Sequence, residues 1–153
     1  MLPASFLPFL LRAKKNTYAS GRTSDGSSRP ESHDLTYIEE PYLYIDTYLG
    51  RFSFVGEEAV WHSGLPIWGM NYYGKTLSRE IPEGFSPFLK NTLLQVFHDI
   101  PEYKEGNFQY QCKCAGDPGL FKGEEVIFLD SDPIYQLDFH DGEIVPCPYE
   151  GED

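Results

Sequence analysis

The alternation of residue types is clearest in Tyr42-Leu43-Tyr44-Ile45-Asp46-Thr47-Tyr48-Leu49. In an extended chain successive side chains point to opposite faces, so Leu43, Ile45, Thr47 and Leu49 share one side and Tyr42, Tyr44, Asp46 and Tyr48 the other. The expectation is a strand with an aliphatic core face and an aromatic face interrupted by a carboxylate. His33 to Ile38 reads as its antiparallel neighbour, joined through the turn Glu39-Glu40-Pro41. After the break at Gly50 and the short run Arg51 to Val55, residues 57–73 read as a hairpin about Ser63-Gly64. A two-residue turn there sets Trp61 opposite Pro66 and Ala59 opposite Trp68. Glu57, Ala59, Trp61, Trp68, Met70 and Tyr72 then share one face, and Glu58, Val60, His62, Ile67, Asn71 and Tyr73 the other.

Two segments have helical spacing. Ser5 to Lys15 presents Phe6, Leu7, Phe9, Leu10 and Leu11 as a broad apolar side, with Ser5 available as a cap and Pro8 in the first turn. In the second, Ser86 is the expected cap, Pro87 the first helical residue, and Phe88, Leu89, Leu93, Val96, Phe97 and Ile100 the buried stripe before Pro101. Phe108 to Cys114, Glu124 to Leu129 and Ile134 to His140 read as further strands, the last two joined by Asp130-Ser131-Asp132-Pro133. The fold class expected is α+β: a curled, mostly antiparallel sheet of about seven strands with two helices, one packed across the aliphatic face. Residues 1–145 read as one domain with a mobile loop at 16–32, and 146–153 as an acidic, frayed tail. No internal repeat is visible in this reading.

Composition sharpens the picture in three places. Aromatic residues make up 16% of the chain, including eleven Tyr and eleven Phe, which favours a sheet or a pocket lined with rings. The net charge of -12 repels phosphate backbones, so direct nucleic-acid binding is not expected. Five basic residues against one acid lie in residues 1–30; Lys14 and Lys15 among them suit the C-terminal end of a helix. Three cysteines are too few and of the wrong parity for a disulfide framework, so a reducing cytoplasm is expected. The apolar run Phe6 to Leu11 is too short to span a bilayer, and no membrane association is expected.

Candidate chemistry centres on Asp46, which Tyr44 and Tyr48 flank at two-residue spacing. Partial desolvation among rings raises a carboxyl pKa and suits it to acid chemistry or to holding a cation. Glu57 shares a cleft with Asp46 if the Trp-bearing hairpin face looks at the Tyr face, a layout of the kind used in sugar hydrolysis. Arg29 and His33 sit where a loop would close over a polar ligand. Cys112 and Cys114 fall on one side of a strand, but two thiols are half a zinc site, and core thiols are the better reading; no metal is assigned. Glycine-rich phosphate loops, dinucleotide fingerprints and nucleophile elbows are absent, and no cofactor is implied.

The runs Arg12 to Ala19, Ser28-Arg29-Pro30, Ser32 to Leu35, Tyr44 to Gly50, Phe54 to Trp61 and Trp68 to Gly74 together resemble a bacterial family classed as a domain of unknown function. That family occurs alone or behind an XRE-type helix-turn-helix. The resemblance implies a sensory or effector-binding role, by analogy with modules attached to DNA-binding domains.

The leading expectation is therefore a small-molecule-binding module. Its pocket would be lined by Tyr44, Tyr48, Trp61, Trp68 and Tyr72, with Asp46, Glu57 and Asn71 as polar anchors and Arg29 and His33 closing from the loop. An amine, a sugar or a nucleobase suits such a lining. Two other readings stand beside it: a hydrolase using Asp46 or Glu57 as general acid or base with His33 assisting, and an interaction module whose aromatic face meets another protein or a second copy of the chain.

Overall fold

A computed structural model of the chain describes residues 1–20, 24–95, 101–117 and 119–146. Helix α1 (Phe6–Asn16) and a short 3-10 turn at Tyr18–Ser20 precede strands β1 (His33–Glu39), β2 (Tyr42–Gly50), β3 (Ser53–His62) and β4 (Leu65–Thr76). Helix α2 (Phe85–Gln95) then leads into β5 (Glu102–Glu105), β6 (Phe108–Asp117), β7 (Leu120–Leu129) and β8 (Asp132–Glu143). The strands form one antiparallel sheet in the order β1-β2-β3-β4-β8-β7-β6-β5. The fold is α+β as expected, with eight strands instead of about seven. The additional one is β5, four residues long and mostly charged, which has too little pattern of its own and forms by pairing with β6.

Contrary to the sequence reading, the architecture repeats. Each half is a helix followed by a four-strand meander, and the halves join where β4 pairs with β8. Phe6-Leu7-Pro8-Phe9-Leu10 of α1 corresponds to Phe85-Ser86-Pro87-Phe88-Leu89 of α2, and Gly56-Glu57-Glu58 of β3 to Gly123-Glu124-Glu125 of β7. The third hairpin of each half is interrupted in the same way. Trp61 faces Pro66 while Val60 faces Trp68, leaving Ile67 as an extra residue; Phe128 faces Pro133 while Ile127 faces Tyr135, leaving Ile134. Proline cannot donate to the ladder, so a bulge beside it is the geometry that remains. In the β4–β8 ladder Tyr72 pairs with Phe139, which are equivalent residues of the two halves. A pseudo-two-fold axis therefore passes between them, perpendicular to the sheet.

That axis keeps both helices on one side. Phe6, Phe9, Leu10 and Ala13 of α1 bury against Tyr42, Tyr44, Val60 and Trp68, and the Phe9 ring stacks on Tyr42 at 4.5 Å. Phe85, Phe88 and Leu89 of α2 bury against Tyr110, Ile127, Ile134 and Tyr135. Both helices thus lie on the tyrosine-bearing face of the sheet, not across Leu43, Ile45 and Leu49, which are half-buried on the outer face. A buried tyrosine contributes more apolar area than a leucine, so the ring face offers the larger gain on being covered.

The helix starts also differ from expectation. Ser5 makes no cap; its hydroxyl lies 2.7 Å from the Tyr42 hydroxyl. Helix α2 begins at Phe85, with the Phe88 amide donating to the Gly84 carbonyl at 3.0 Å, which places Ser86 inside the first turn. Val96, Phe97 and Ile100 of the expected stripe, and Cys147 with the rest of 147–153, lie outside the described residues. Among the described residues no helix is long and apolar enough to cross a membrane.

The repeat makes Phe9 and Phe88 equivalent core residues, 0% and 2% exposed. Phe9→Ala and Phe88→Ala should each destabilise the protein by about 3–5 kcal/mol in urea unfolding. A loss below about 1 kcal/mol for Phe88→Ala would show that the second half has no core of its own making.

Candidate functional site

Between the helices and the inner face of the sheet lies a cavity of about 330 Å³. Its walls come from both halves at equivalent positions. Lys14, Tyr44, Asp46, Glu58, Met70 and Tyr72 line it from the first half, and Leu93, Tyr110, Cys112, Glu125, Leu137 and Phe139 from the second. Side chains of β2 and β6 reach the same cavity although four strands separate them, so the sheet is curled as expected. The exposed lining residues, Tyr18, Gly50, Arg51, Ile81 and Ser86, mark the mouth.

The electrostatics concentrate on the first half. Asp46 and Glu58 are cross-strand neighbours, both nearly buried at 5% and 8% exposure. Tyr72 donates its phenolic proton to Asp46 Oδ1 at 2.7 Å. Lys14, which reads in the sequence as a charge at a helix end, reaches in from α1 and places Nζ 2.8 Å from Glu58 Oε2. Burial, and secondarily the Glu58 carboxylate, lifts the Asp46 carboxyl to about 7; the Tyr72 hydrogen bond and the Lys14 charge oppose the rise. In the second half Glu125 faces the same space and is also raised by burial, with the Tyr110 phenol and Lys14 opposing. The Tyr44 and Tyr72 phenols are held protonated well above their ordinary range, chiefly by burial and then by the neighbouring carboxylates. The cavity thus offers phenolic donors and a carboxyl that exchanges its proton near neutrality.

Four of the expected pocket residues, Tyr44, Asp46, Tyr48 and Tyr72, come together here. The others do not. Because the bulge at Ile67 shifts the hairpin by one residue, Glu58 turns inward beside Asp46 while Glu57 is exposed on the outer face, opposite Asn71. A one-residue slip exchanges the faces of a strand, and this one exchanges the two glutamates. Glu57 therefore does not look at Asp46. Asn71 is exposed with Val55 and Tyr73 in a wide depression. Trp61 also falls on the outer face, since Val60 is buried and His62 meets the inward Tyr42 ring at 4.7 Å. Trp68 is inward but serves the core, 1% exposed and 5.6 Å from the Phe6 ring.

The loop residues stand outside the cavity. His33 stacks on the Tyr48 ring at 5.1 Å, one layer behind the wall. Arg29 is exposed, and its amide donates to Ser32 Oγ at 3.0 Å. The Asp25 carboxylate accepts from the Thr36 amide at 2.8 Å and the Asp34 carboxylate from the Ser28 amide at 2.7 Å, tying this stretch to β1.

Sequence reasoning missed Lys14, Glu58, Tyr110, Cys112 and Glu125. A signal existed for Lys14, which is four residues after Leu10 and so continues the buried stripe of α1. For the glutamates it was the duplicated Gly-Glu-Glu. Each of those glycines admits a ring: a Cβ on Gly56 would fall 2.3 Å from the Tyr72 ring, and one on Gly123 would fall 2.4 Å from Phe139. Cys112 and Cys114 have their sulfurs 2.9 Å apart, and burial raises the Cys112 thiol. Among the described residues no group of three or more His, Cys, Asp or Glu side chains is placed to hold a metal ion.

A further buried carboxyl lies on the inner face beyond the cavity. Asp141 of β8 is 4% exposed, and neither of its oxygens makes a hydrogen bond of full geometry. The Phe121 amide and the Trp68 side chain lie close enough to favour its charged form, as does Lys14, but burial outweighs them and lifts it to about 7.

Residues 46–144 match the family described as a domain of unknown function (DUF5680). No curated protein and no solved structure matches the chain.

Asp46 and Asp141 each bind a proton in the folded state between about pH 4 and 7 that the unfolded chain, with carboxyls at 3.8, has released. Their contribution is therefore intact below pH 4 and is lost as pH rises to 7, by at most about 1.4 kcal/mol per pH unit for each group. Asp46 feels the charges of Lys14, Asp34 and Glu58 and the Tyr72 hydrogen bond, and none of these groups is substituted in the test. Asp46→Asn and Asp141→Asn should each flatten the fall in Tm between pH 5 and 7.5 relative to wild type. Slopes identical to wild type in both variants would mean the two carboxyls ionise normally.

Proposed function

The chain belongs to the DUF5680 domain family, and from its geometry we propose that it is a small-molecule-binding module whose ligand sits in the cavity between the two helices and the sheet. The observation that carries this reading is the cavity itself. Interiors are close-packed, and spaces larger than a water molecule are few in any domain. One of about 330 Å³, largely apolar and rich in rings, with a carboxyl, a phenol and an ion pair converging in one half, has the size and make-up of a ligand site. Lys14, Asp46, Glu58 and Tyr72 supply the polar anchors, and the rings of Tyr44, Tyr48 and Tyr110 the apolar contact. Effector sensing is the role that such a module would serve, by analogy only.

A second reading is favoured by the raised Asp46 carboxyl. A group near pH 7 in a water-poor cleft has the proton affinity of a general acid or base. Asp46 would then act with Glu58 as its neighbour, since Glu57 faces away and His33 lies behind Tyr48. Turnover of a hydrolysable ligand, lost in Asp46→Asn, would favour this over binding alone.

The binding reading is tested by a fragment screen on wild type and on Leu93→Trp, which fills the cavity from α2. A fragment at ten times its Kd should raise the wild-type Tm by about 3–6 °C and leave Leu93→Trp unmoved. No stabilising fragment at millimolar concentration, or equal shifts in both proteins, would overturn it.

A further inference from the structure

The duplication provides an internal comparison that a single domain lacks. Positions the fold alone requires should carry the same kind of residue in both halves, and several do: Tyr44 matches Tyr110, Glu58 matches Glu125, and Met70 matches Leu137, all at the cavity wall. Of the positions that line the cavity in both halves, three differ in kind. Lys14 stands where the second half has Leu93, Asp46 where it has Cys112, and Tyr72 where it has Phe139. The equivalences are fixed by pairing. Asp46 faces Glu58 as Cys112 faces Glu125, and Tyr72 and Phe139 meet each other on the pseudo-two-fold axis.

Resting on the reading of this cavity as a ligand site, we infer that it takes an amphiphilic monocation, with an ammonium or guanidinium group against Asp46 and an apolar aryl or alkyl body against the second half. Three observations converge on that class. Among the described residues the wall holds three carboxyls, Asp46, Glu58 and Glu125, and one inner cation, Lys14, which is committed to Glu58 at 2.8 Å, while Arg51 stands exposed at the mouth. Asp46 is 5% exposed, opens onto the cavity and has a neutral phenol as its hydrogen-bond partner, so a cation placed there gains a charge-assisted contact in a low-dielectric site. In the second half Leu93, Leu137 and Phe139 make an apolar patch, while the polar groups of that half, Tyr110 and Glu125, are hydrogen-bonded to each other.

That patch disfavours the alternatives. A sugar would leave hydroxyls unsatisfied against Leu93, Leu137 and Phe139, at a cost for each buried polar group without a partner. An anion would meet three carboxyls. An arylalkylamine matches both halves, with the ring surfaces of Tyr44 and Tyr48 beside the charged end.

The probes are benzylamine, phenethylamine and tryptamine, each beside its uncharged alcohol, titrated by calorimetry at pH 8 into wild type, Asp46→Asn and Tyr72→Phe. At least one amine should bind ten-fold or more tightly than its alcohol. Asp46→Asn should erase that preference while still taking up the alcohol, and Tyr72→Phe should change amine and alcohol by unequal factors. Alcohols binding as well as amines, or a preference that survives Asp46→Asn, would overturn the inference. If Asp46→Asn does not fold, the wild-type ratio and Tyr72→Phe decide it. Should fragments of another class stabilise wild type and not Leu93→Trp while no amine binds, the cationic class falls and the ligand site stands; if nothing binds at all, both fall.

Discussion

The structure depends on the seam where β4 meets β8. Nine residue pairs, from Trp68 with Glu143 to Thr76 with Tyr135, join two four-strand meanders into one sheet. Because the seam is antiparallel and centred on equivalent residues, it keeps the covered faces of the two halves on the same side. The two helices therefore lie over separate halves of one concave surface, each sealed by its own phenylalanine cluster. The cavity is the space left between two covers that fit their own halves. The sheet ends away from this seam, at β1 and β5. The short β5 presents Glu102, Lys104 and Glu105, a charged edge unsuited to pairing with another chain.

The same arrangement explains why charge is found so far inside. Residues that follow the inward alternation of β2, β3 and β7 include Asp46, Glu58 and Glu125, and the helices cover them whether or not they ionise. Burying carboxylates is costly unless they are paired. The structure meets that cost unevenly: Lys14 pairs with Glu58, Tyr72 donates to Asp46, and the remaining burden appears as carboxyls that hold their protons near neutrality. An apolar residue at Asp46 would fill the same position without the penalty, as Cys112 does in the second half. Departures of this kind from a stable core are expected where a site has been kept for use.

Much of the fold was legible from local pattern. The strand 42–49, its partner at 33–38, the hairpin turns at Ser63-Gly64 and at Asp130-Ser131, and both helices follow from periodicity and turn residues, to within a residue or two at their ends. About half of the expected pocket was legible as well, because Tyr44, Asp46, Tyr48 and Tyr72 need only the correct alternation. Glu57 and Trp61 were placed by a hairpin register that ignored the proline after the turn; Asn71 already fell on the face away from Tyr72 in that register, and the strand pattern did not support it as an anchor. Pro66 and Pro133 each force an isoleucine out of the ladder, and everything beyond the bulge changes face. The repeat escaped notice because the two copies share only short runs, Phe-x-Pro-Phe-Leu and Gly-Glu-Glu, separated by divergent sequence.

The sequence by itself determined which segments are helix and strand, and which residues sit together on one face of β2, since those depend on neighbours a few positions away. Which face is covered was settled by the tertiary structure. Both faces of β2 are apolar enough to bury, and only the docking of α1 and α2 decides between rings and aliphatics. Pairing Glu58 with Lys14 needed α1 to dock over β3, and setting Asp46 in one cavity with Leu93, Leu137 and Phe139 needed the seam between the halves. Those contacts join residues far apart in the chain, and no periodicity within either half encodes the distance between them.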